Sequence, residues 1–148
     1  MSNSYPELTV IGVEPTGIYD PAGRDALQKA DVVMGWNRHL ETVSLESNCE
    51  FVEITELQEC VPTFESYDPD HHVVLLATGD PLFFGIGSYL KKRIPASHLE
   101  YIPARSSVQL AFASLKTTYN DALVHSLHGR KLDTLRTALT KSPPALAL

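Results

Sequence analysis

Cysteine is scarce: Cys49 and Cys60 are the two in 148 residues. Two cysteines cannot build a disulfide scaffold, and their spacing matches no zinc signature. They read either as one disulfide or as two reduced thiols, and the second is favoured because cytosolic proteins seldom keep disulfides. Basic charge is also short. Against 18 Asp and Glu stand 12 Lys and Arg, for a net charge of -6. A duplex-binding protein carries a basic face, so nucleic acid is an unexpected partner, although net charge does not bear on a local basic pocket. No apolar run approaches the length that crosses a bilayer. Met1–Pro6 lacks a basic n-region and a long apolar stretch, so no signal peptide is expected and the chain reads as cytoplasmic. Repeats and low-complexity segments are missing. No histidine pairs with a serine or cysteine in a nucleophile motif, and no His/Asp/Glu cluster has metal spacing, so no metal is expected. What remains is an ordinary globular composition, 43% hydrophobic and 20% charged, long enough for one domain or one domain plus a fragment.

What is present is an alternation of strand and helix patterns. Leu8–Val13 reads as a first strand, broken by Glu14-Pro15-Thr16-Gly17. Asp20 caps a helix with Pro21 at its first position, running to about Ala30. Asp31–Gly35 is a short strand, and Asn37 is placed to cap a helix over 38–43. Phe51–Ile54 alternates as an edge strand. Positions 55 to 70 carry room for one short helix. Val73–Thr78 is a continuous apolar run into Gly79-Asp80-Pro81, the pattern of a strand buried on both faces of a parallel sheet. A helix follows from about Phe84 to Arg93. Leu99–Ile102 is a strand stopped by Pro103, and Ser106 or Ser107 caps a helix over 108–115. Lys116–Asp121 reads as a linker. Ala122–Ser126 begins another strand, Asp133 caps a helix to about Lys141, Pro143-Pro144 breaks it, and 145–148 starts a strand. The fold class is therefore α/β: a mainly parallel sheet flanked by helices over 1–116, then the start of a second α/β domain over 121–148, inside which the sequence is expected to stop.

In a parallel sheet the turns Gly12–Gly17, Thr78–Gly85 and Pro103–Ser107 fall at carboxyl ends of strands, where open α/β sheets bind ligands. The first turn is no dinucleotide fingerprint. Glu14 stands where a glycine must let backbone approach a pyrophosphate, and a carboxylate there repels it. Nor is it a Walker A loop. Asp80 reads in two ways, as a general base or as a carboxylate that holds its turn and caps the following helix. Arg105 is either a surface ion pair or an anion contact at the cleft. His71-His72 read as solvated, while His128 ends a strand beside Gly129.

Leu76–Gly87 resembles the Gly-Asp-Pro segment of the tetrapyrrole (corrin/porphyrin) methylases. Tyr101–Gln109 is similar to the segment that in many relatives reads Pro-Gly-hydroxyl. Gly35-Trp36-Asn37-Arg38-His39-Leu40 and Ser126-Leu127-His128-Gly129-Arg130 resemble the branch that methylates C5 of the precorrin ring in cobalamin biosynthesis. The resemblance implies a homodimer of two-domain chains with S-adenosylmethionine held between the domains. It implies a precorrin or cobalt-precorrin substrate, and a C15-methylating and decarboxylating module either fused or separate. Pro15, Thr78, Gly79, Asp80, Phe83, Ser106 and Ser107 would line the cofactor, with His128 and Gly129 contributing from the second domain. Arg38, His39, Arg105 and Arg130 would meet the carboxylates of the substrate, or stand as surface charges. Most relatives have a Gly-x-Gly-Pro-type first turn; this chain departs from it at Glu14. Methyl transfer from a sulfonium to carbon is a direct displacement that needs alignment and a dry cleft, so the lack of a catalytic dyad is no objection. The alternatives are a methylase of this fold acting on another tetrapyrrole, or a chain that only folds and dimerises.

Overall fold

A computed structural model describes residues 5–18, 20–43, 49–141 and 145–147. The chain divides into two compact units, Met1–Arg105 and Ser106–Leu148, so the boundary between units falls before the helix at 107–115.

The first unit is a five-stranded, all-parallel sheet. Its strands are β1 (Glu7–Val13), β2 (Val32–Gly35), β3 (Glu50–Glu53), β4 (His72–Thr78) and β5 (Leu99–Ile102), in the order β3-β2-β4-β1-β5. The helices are α1 (Pro21–Lys29), α2 (Asn37–Thr42), α3 (Cys60–Glu65) and α4 (Gly87–Leu90), with short 3-10 turns at 57–59 and 96–98. β4 lies at the centre because its side chains can be buried on both faces. Val73, Leu75 and Ala77 join Leu8, Val10, Val32 and Met34 in one core with Phe64 and Leu90. Val74 and Leu76 join Ile11, Val13 and Val33 in another with Leu27 and Val43. The continuous apolar run is thus two alternating sets serving two layers. β3 is an edge strand, and its Phe51 is exposed.

Several boundaries differ from the sequence reading. Asn37 is the first helical residue of α2 rather than its cap. The cap position is Trp36, and the Asn37 amide instead donates to Glu41 one turn on. The helix expected from Phe84 to Arg93 is reduced to Gly87–Leu90. Phe84 takes a left-handed φ of 52°, which a helix cannot contain. The Gly87 amide is committed to the Pro81 carbonyl at 2.8 Å, closing a compact loop over 81–87. Arg93 is not a bare helix-end cation, since its guanidinium lies 3.8 Å over the Tyr89 ring and donates to the Tyr89 carbonyl. No disulfide joins Cys49 and Cys60, and burial pushes the Cys60 thiol up to about 11.

The second unit holds α5 (Ser107–Leu115), β6 (Leu123–His125), α6 (Leu132–Lys141) and β7 (Ala145–Ala147), with β6 and β7 paired in parallel. Ser106 caps α5 through a reciprocal box: its hydroxyl accepts from the Gln109 amide, and the Gln109 side chain accepts from the Ser106 amide. Asp133 sits inside the first turn of α6 rather than capping it. The Pro143-Pro144 break lies outside the described residues. Among the described residues no helix is long and apolar enough to cross a membrane.

Candidate functional site

Parallel pairing in the order β4-β1-β5 brings three strand ends side by side, and the loops leaving them are joined through Gly79. The Gly79 amide donates to the Val13 carbonyl at 3.0 Å, and the Gly79 carbonyl accepts from the Ala104 amide at 3.1 Å. One residue therefore ties the first, second and third turns together. Gly79 does so at φ 60°, a conformation that costs a side-chain-bearing residue about 1–2 kcal/mol. Gly12 is glycine for a different reason. A Cβ there would lie 2.1 Å from the Gly79 oxygen and 2.3 Å from the Ala104 nitrogen, on the hydrogen bond between them. Its role is to let three backbones cross.

The Asp80 carboxylate accepts from the Leu82 amide at 2.9 Å, and its carbonyl from the Phe83 amide at 3.1 Å. Asp80 thus fixes its turn, while the helix it was expected to cap begins only at Gly87. Beyond it Leu82, Phe83 and Phe84 are exposed, with the two rings packed edge to face. Pro15 stands exposed at the tip of a turn closed by paired backbone bonds between Glu14 and Gly17, both 3.0 Å.

Glu14 is 6% exposed, and a carboxylate so enclosed requires a partner. Arg105 supplies it. Its Nε donates to Oε1 at 2.8 Å, its Nη2 to Oε2, and its backbone amide to Oε1 at 3.3 Å. The hydrogen bond from Arg105 holds the Glu14 carboxyl below its ordinary value, against the opposing effect of burial. Of the two readings of Arg105, the ion pair is the one present. The first turn consequently does not offer a bare negative charge.

α2 starts two residues after β2 ends, which places its first turn beside the end of β4. His39 Nε2 lies 2.8 Å from the Thr78 hydroxyl, and Arg38 Nη2 donates to the same oxygen at 3.2 Å. Arg38 is exposed, whereas His39 is 5% exposed. Burial and the neighbouring Arg38 charge lower the His39 imidazole to about 4, so the ring is neutral at physiological pH. His39 is thus a buried ring engaged with the Thr78 hydroxyl.

In the second unit Ser106 is 7% exposed and committed to its helix cap, while Ser107 is exposed. His128, Gly129 and Arg130 form an exposed turn closed by the Arg130 amide on the Leu127 carbonyl. Gly129 adopts φ 68°, and the His128 amide donates to the buried Ser126 hydroxyl. At the opposite end of β4 from Thr78, Asp68, Asp70 and His71 gather within 4.8 Å on a surface loop, a grouping the sequence reading did not find.

Sequence reasoning placed Thr78, Gly79, Asp80 and Pro15 at one end of the sheet, and the structure gathers them there with Arg38, His39 and Arg105. It missed the Glu14–Arg105 clamp and the His39–Thr78 link. Glu14 as an acid in an otherwise small and apolar turn was the available signal for the clamp. Nothing local signals the link, which depends on β4 inserting between β1 and β2.

The chain matches the family of Tetrapyrrole (Corrin/Porphyrin) Methylases over residues 10–147. It is 37% identical over 157 aligned positions to the decarboxylating precorrin-6Y C(5,15)-methyltransferase of Sinorhizobium sp, covering 100% of this chain and 38% of that protein. It is 33% identical over 125 positions to the cobalt-precorrin-7 C(5)-methyltransferase of Salmonella typhimurium, covering 83% of this chain and 62% of that one. Among solved structures, the precorrin-6Y methylase of Archaeoglobus fulgidus superposes with a TM-score of 0.73 at 25% identity, covering 97% of this chain and 72% of that chain. The methyltransferase CobJ superposes with a TM-score of 0.75 at 18% identity over 90% of this chain and 62% of that chain, a likeness of fold. The chain spans 38% and 62% of the two curated relatives' lengths. It belongs to the tetrapyrrole (corrin/porphyrin) methylases.

Proposed function

We propose that this chain is the cofactor-binding part of an S-adenosylmethionine-dependent methyltransferase acting on C5 of a precorrin or cobalt-precorrin. The strongest support is identity of 37% across its whole length to a precorrin-6Y C(5,15)-methyltransferase. The chemistry of the junction fits the cofactor. S-adenosylmethionine carries no phosphate, so the first turn needs no phosphate cradle, and Glu14 is neutralised by Arg105. Thr78 offers a hydroxyl, Phe83 an exposed aromatic face suited to a purine, and Pro15 an apolar tip. When bound, the cofactor supplies an electrophilic methyl group. The residues of this chain bind, orient and exclude water, and alignment of this kind can contribute about 7–11 kcal/mol.

In this reading Pro15, Thr78, Gly79, Asp80, Phe83, Ser106 and Ser107 serve the cofactor, and His128 and Gly129 serve it from a second domain that begins at 121, after a first domain over 1–116. Arg38 and Arg130 meet substrate carboxylates, for which a guanidinium fork is suited. Arg105 acts through Glu14. The protein works in the cytoplasm as a homodimer, with C15 methylation and decarboxylation supplied by a fused or separate module. Because the chain spans only part of its relatives, a fragment that folds without turnover is the competing reading.

Calorimetry with S-adenosylhomocysteine on this chain, and transfer of labelled methyl to a cobalt-precorrin with the product position read by NMR, separate the two. Binding with transfer to C5 is the expected result. Transfer to another ring position supports a different tetrapyrrole as substrate, and no binding supports the inert fragment.

A further inference from the structure

A rigid loop holds Phe84 in a conformation that its side chain does not favour. Among the described residues, Phe84 and Lys116 are the two other than glycine with positive φ, at 52° and 53°. Lys116 closes α5, an ordinary place for left-handed backbone. Phe84 closes no helix, and for a bulky residue this conformation is an outlier. The backbone around it is fixed from both sides. Before it, the Leu82 amide donates to the Asp80 carboxylate at 2.9 Å and the Phe83 amide to the Asp80 carbonyl at 3.1 Å. After it, the Gly87 amide donates to the Pro81 carbonyl at 2.8 Å. Gly85 and Gly87 lie so close to that carbonyl that a Cβ would stand 2.6 and 2.8 Å from its oxygen. Position 84 therefore takes left-handed backbone whatever residue stands there, and glycine would do so without steric cost.

A strained residue persists where its surroundings over-determine it, and such residues gather at ligand clamps. Core packing does not account for a phenylalanine here. Neither apolar core of the described residues includes Phe84, which is 43% exposed, whereas Ile86 two positions on packs against a core. The Phe84 ring lies against Phe83, with centroids 4.9 Å apart and planes at 70°. An exposed phenylalanine without such a neighbour exchanges rotamers, and ordering it on binding costs a ligand affinity. We propose that Phe84 is a positioning residue, which holds the Phe83 ring in one rotamer before a ligand arrives. The chain carries an aromatic side chain at a position suited to glycine for that purpose. Phe83 stays 38% exposed with its ring held, so a flat heteroaromatic group such as a purine meets an aromatic surface already in order. Phe84 acts on the ligand through Phe83. This inference rests on the reading of Phe83 as part of a cofactor site.

Three measurements on the 148-residue chain test it. Three-bond Hα–Hβ couplings of Phe83 in the ligand-free chain are expected to report one rotamer in the wild type and in Phe84→Tyr, and averaged rotamers in Phe84→Gly. Averaged couplings in the wild type, or unchanged ones in Phe84→Gly, overturn the proposal without reference to any ligand. Urea unfolding is expected to place the midpoint of Phe84→Gly no lower than that of the wild type. A clearly lower midpoint would make the ring part of the fold and overturn the proposal. Calorimetry with S-adenosylhomocysteine is expected to show a loss of about 5-fold in Phe84→Gly, the worth of one aromatic pair, and binding within about 2-fold of wild type in Phe84→Tyr. With Phe83→Leu already in place, Phe84→Gly is expected to cost no further affinity. Equal binding by wild type and Phe84→Gly, or an undiminished loss without the Phe83 ring, overturns the positioning role. Absence of binding by the wild type overturns the cofactor reading instead, and the couplings then decide by themselves whether Phe84 holds Phe83.

Discussion

Two loops leave the neighbouring strands β1 and β4 and are fixed by different chemistry. The loop after β4 is held by main chain: Gly79 bonds to Val13 and Ala104, Gly87 to Pro81, and the Asp80 side chain adds a bond within the turn. The loop after β1 is held by charge as well, with Glu14 bound to Arg105 across to the loop after β5. Backbone bonds are indifferent to salt and to most side-chain changes, but they demand close approach. An ion pair tolerates looser packing but answers to acid, and the exposure of Arg105, at 59%, limits its strength. A site that must hold a ligand in one geometry gains from the first kind of support; a loop that closes beside it can use the second.

The sharpest way to break the contrast is Gly12→Ala. The added methyl lands 2.1 Å from the Gly79 oxygen, where both neighbours are main chain and cannot rotate away. A loss of about 3 kcal/mol is expected, the upper part of the range for overpacking, read as a lower urea midpoint at constant slope. An unchanged midpoint would mean that the three loops are not joined at Gly79.

Next in size is the acid response of the backbone-held side, which enters through His39. Its folded value of about 4 lies below the ordinary 6.5. The unfolded chain therefore binds a proton between these values that the fold refuses, so stability is fully present above pH 6.5 and falls as pH drops towards 4. The full loss is of the order of 3 kcal/mol. Urea titrations at pH 7, 6 and 5 should show the decline in the wild type and a flatter profile in His39→Gln. Parallel profiles would place the acid sensitivity elsewhere.

The charge-held side predicts a smaller effect in a lower window. Glu14→Gln should cost about 1–2 kcal/mol at neutral pH, because one of the Arg105 hydrogen bonds loses its acceptor and the others lose the negative charge. Glu14 is held below its ordinary 4.5, so its contribution is present above that value and is lost as pH falls through the folded value. Wild type and Glu14→Gln should draw together as pH falls below 4.5 and meet below the folded value, and a gap that persists below it would show that packing, not charge, fixes the first turn.

The contrast also marks what the chain discloses before it folds. β4 was legible because a strand buried on both faces needs an unbroken apolar run, and Val73–Ala77 is one, short, rich in β-branched valine and closed by Gly79 and Pro81. The turn at Gly79 was legible because glycine and proline act locally. The Glu14–Arg105 pair was not, since its members lie 91 positions apart and meet only when β5 docks on β1. The helix expected at Phe84 failed for a related reason. The Pro81 carbonyl takes the Gly87 amide and Phe84 stands at positive φ. Gly85 and Gly87, each about 1 kcal/mol worse than alanine in a helix, offer little local propensity to resist that closure.

The smallest expected effect separates the two roles open to Asp80. Asp80→Ala removes one hydrogen bond, to the Leu82 amide, and should cost about 1 kcal/mol. Asp80→Asn keeps an acceptor oxygen in the same place and should be close to neutral in stability. The two roles part in turnover. A general base lost to Asn lowers the rate by about 10²–10⁴-fold, whereas a turn restored by Asn leaves it within a few-fold. Equal stability with the proposed methyl transfer retained in Asp80→Asn is the outcome expected of a loop held by its backbone. Equal stability with a hundred-fold loss would make Asp80 a participant in proton removal, and the second turn would then owe its function to charge as the first owes its shape.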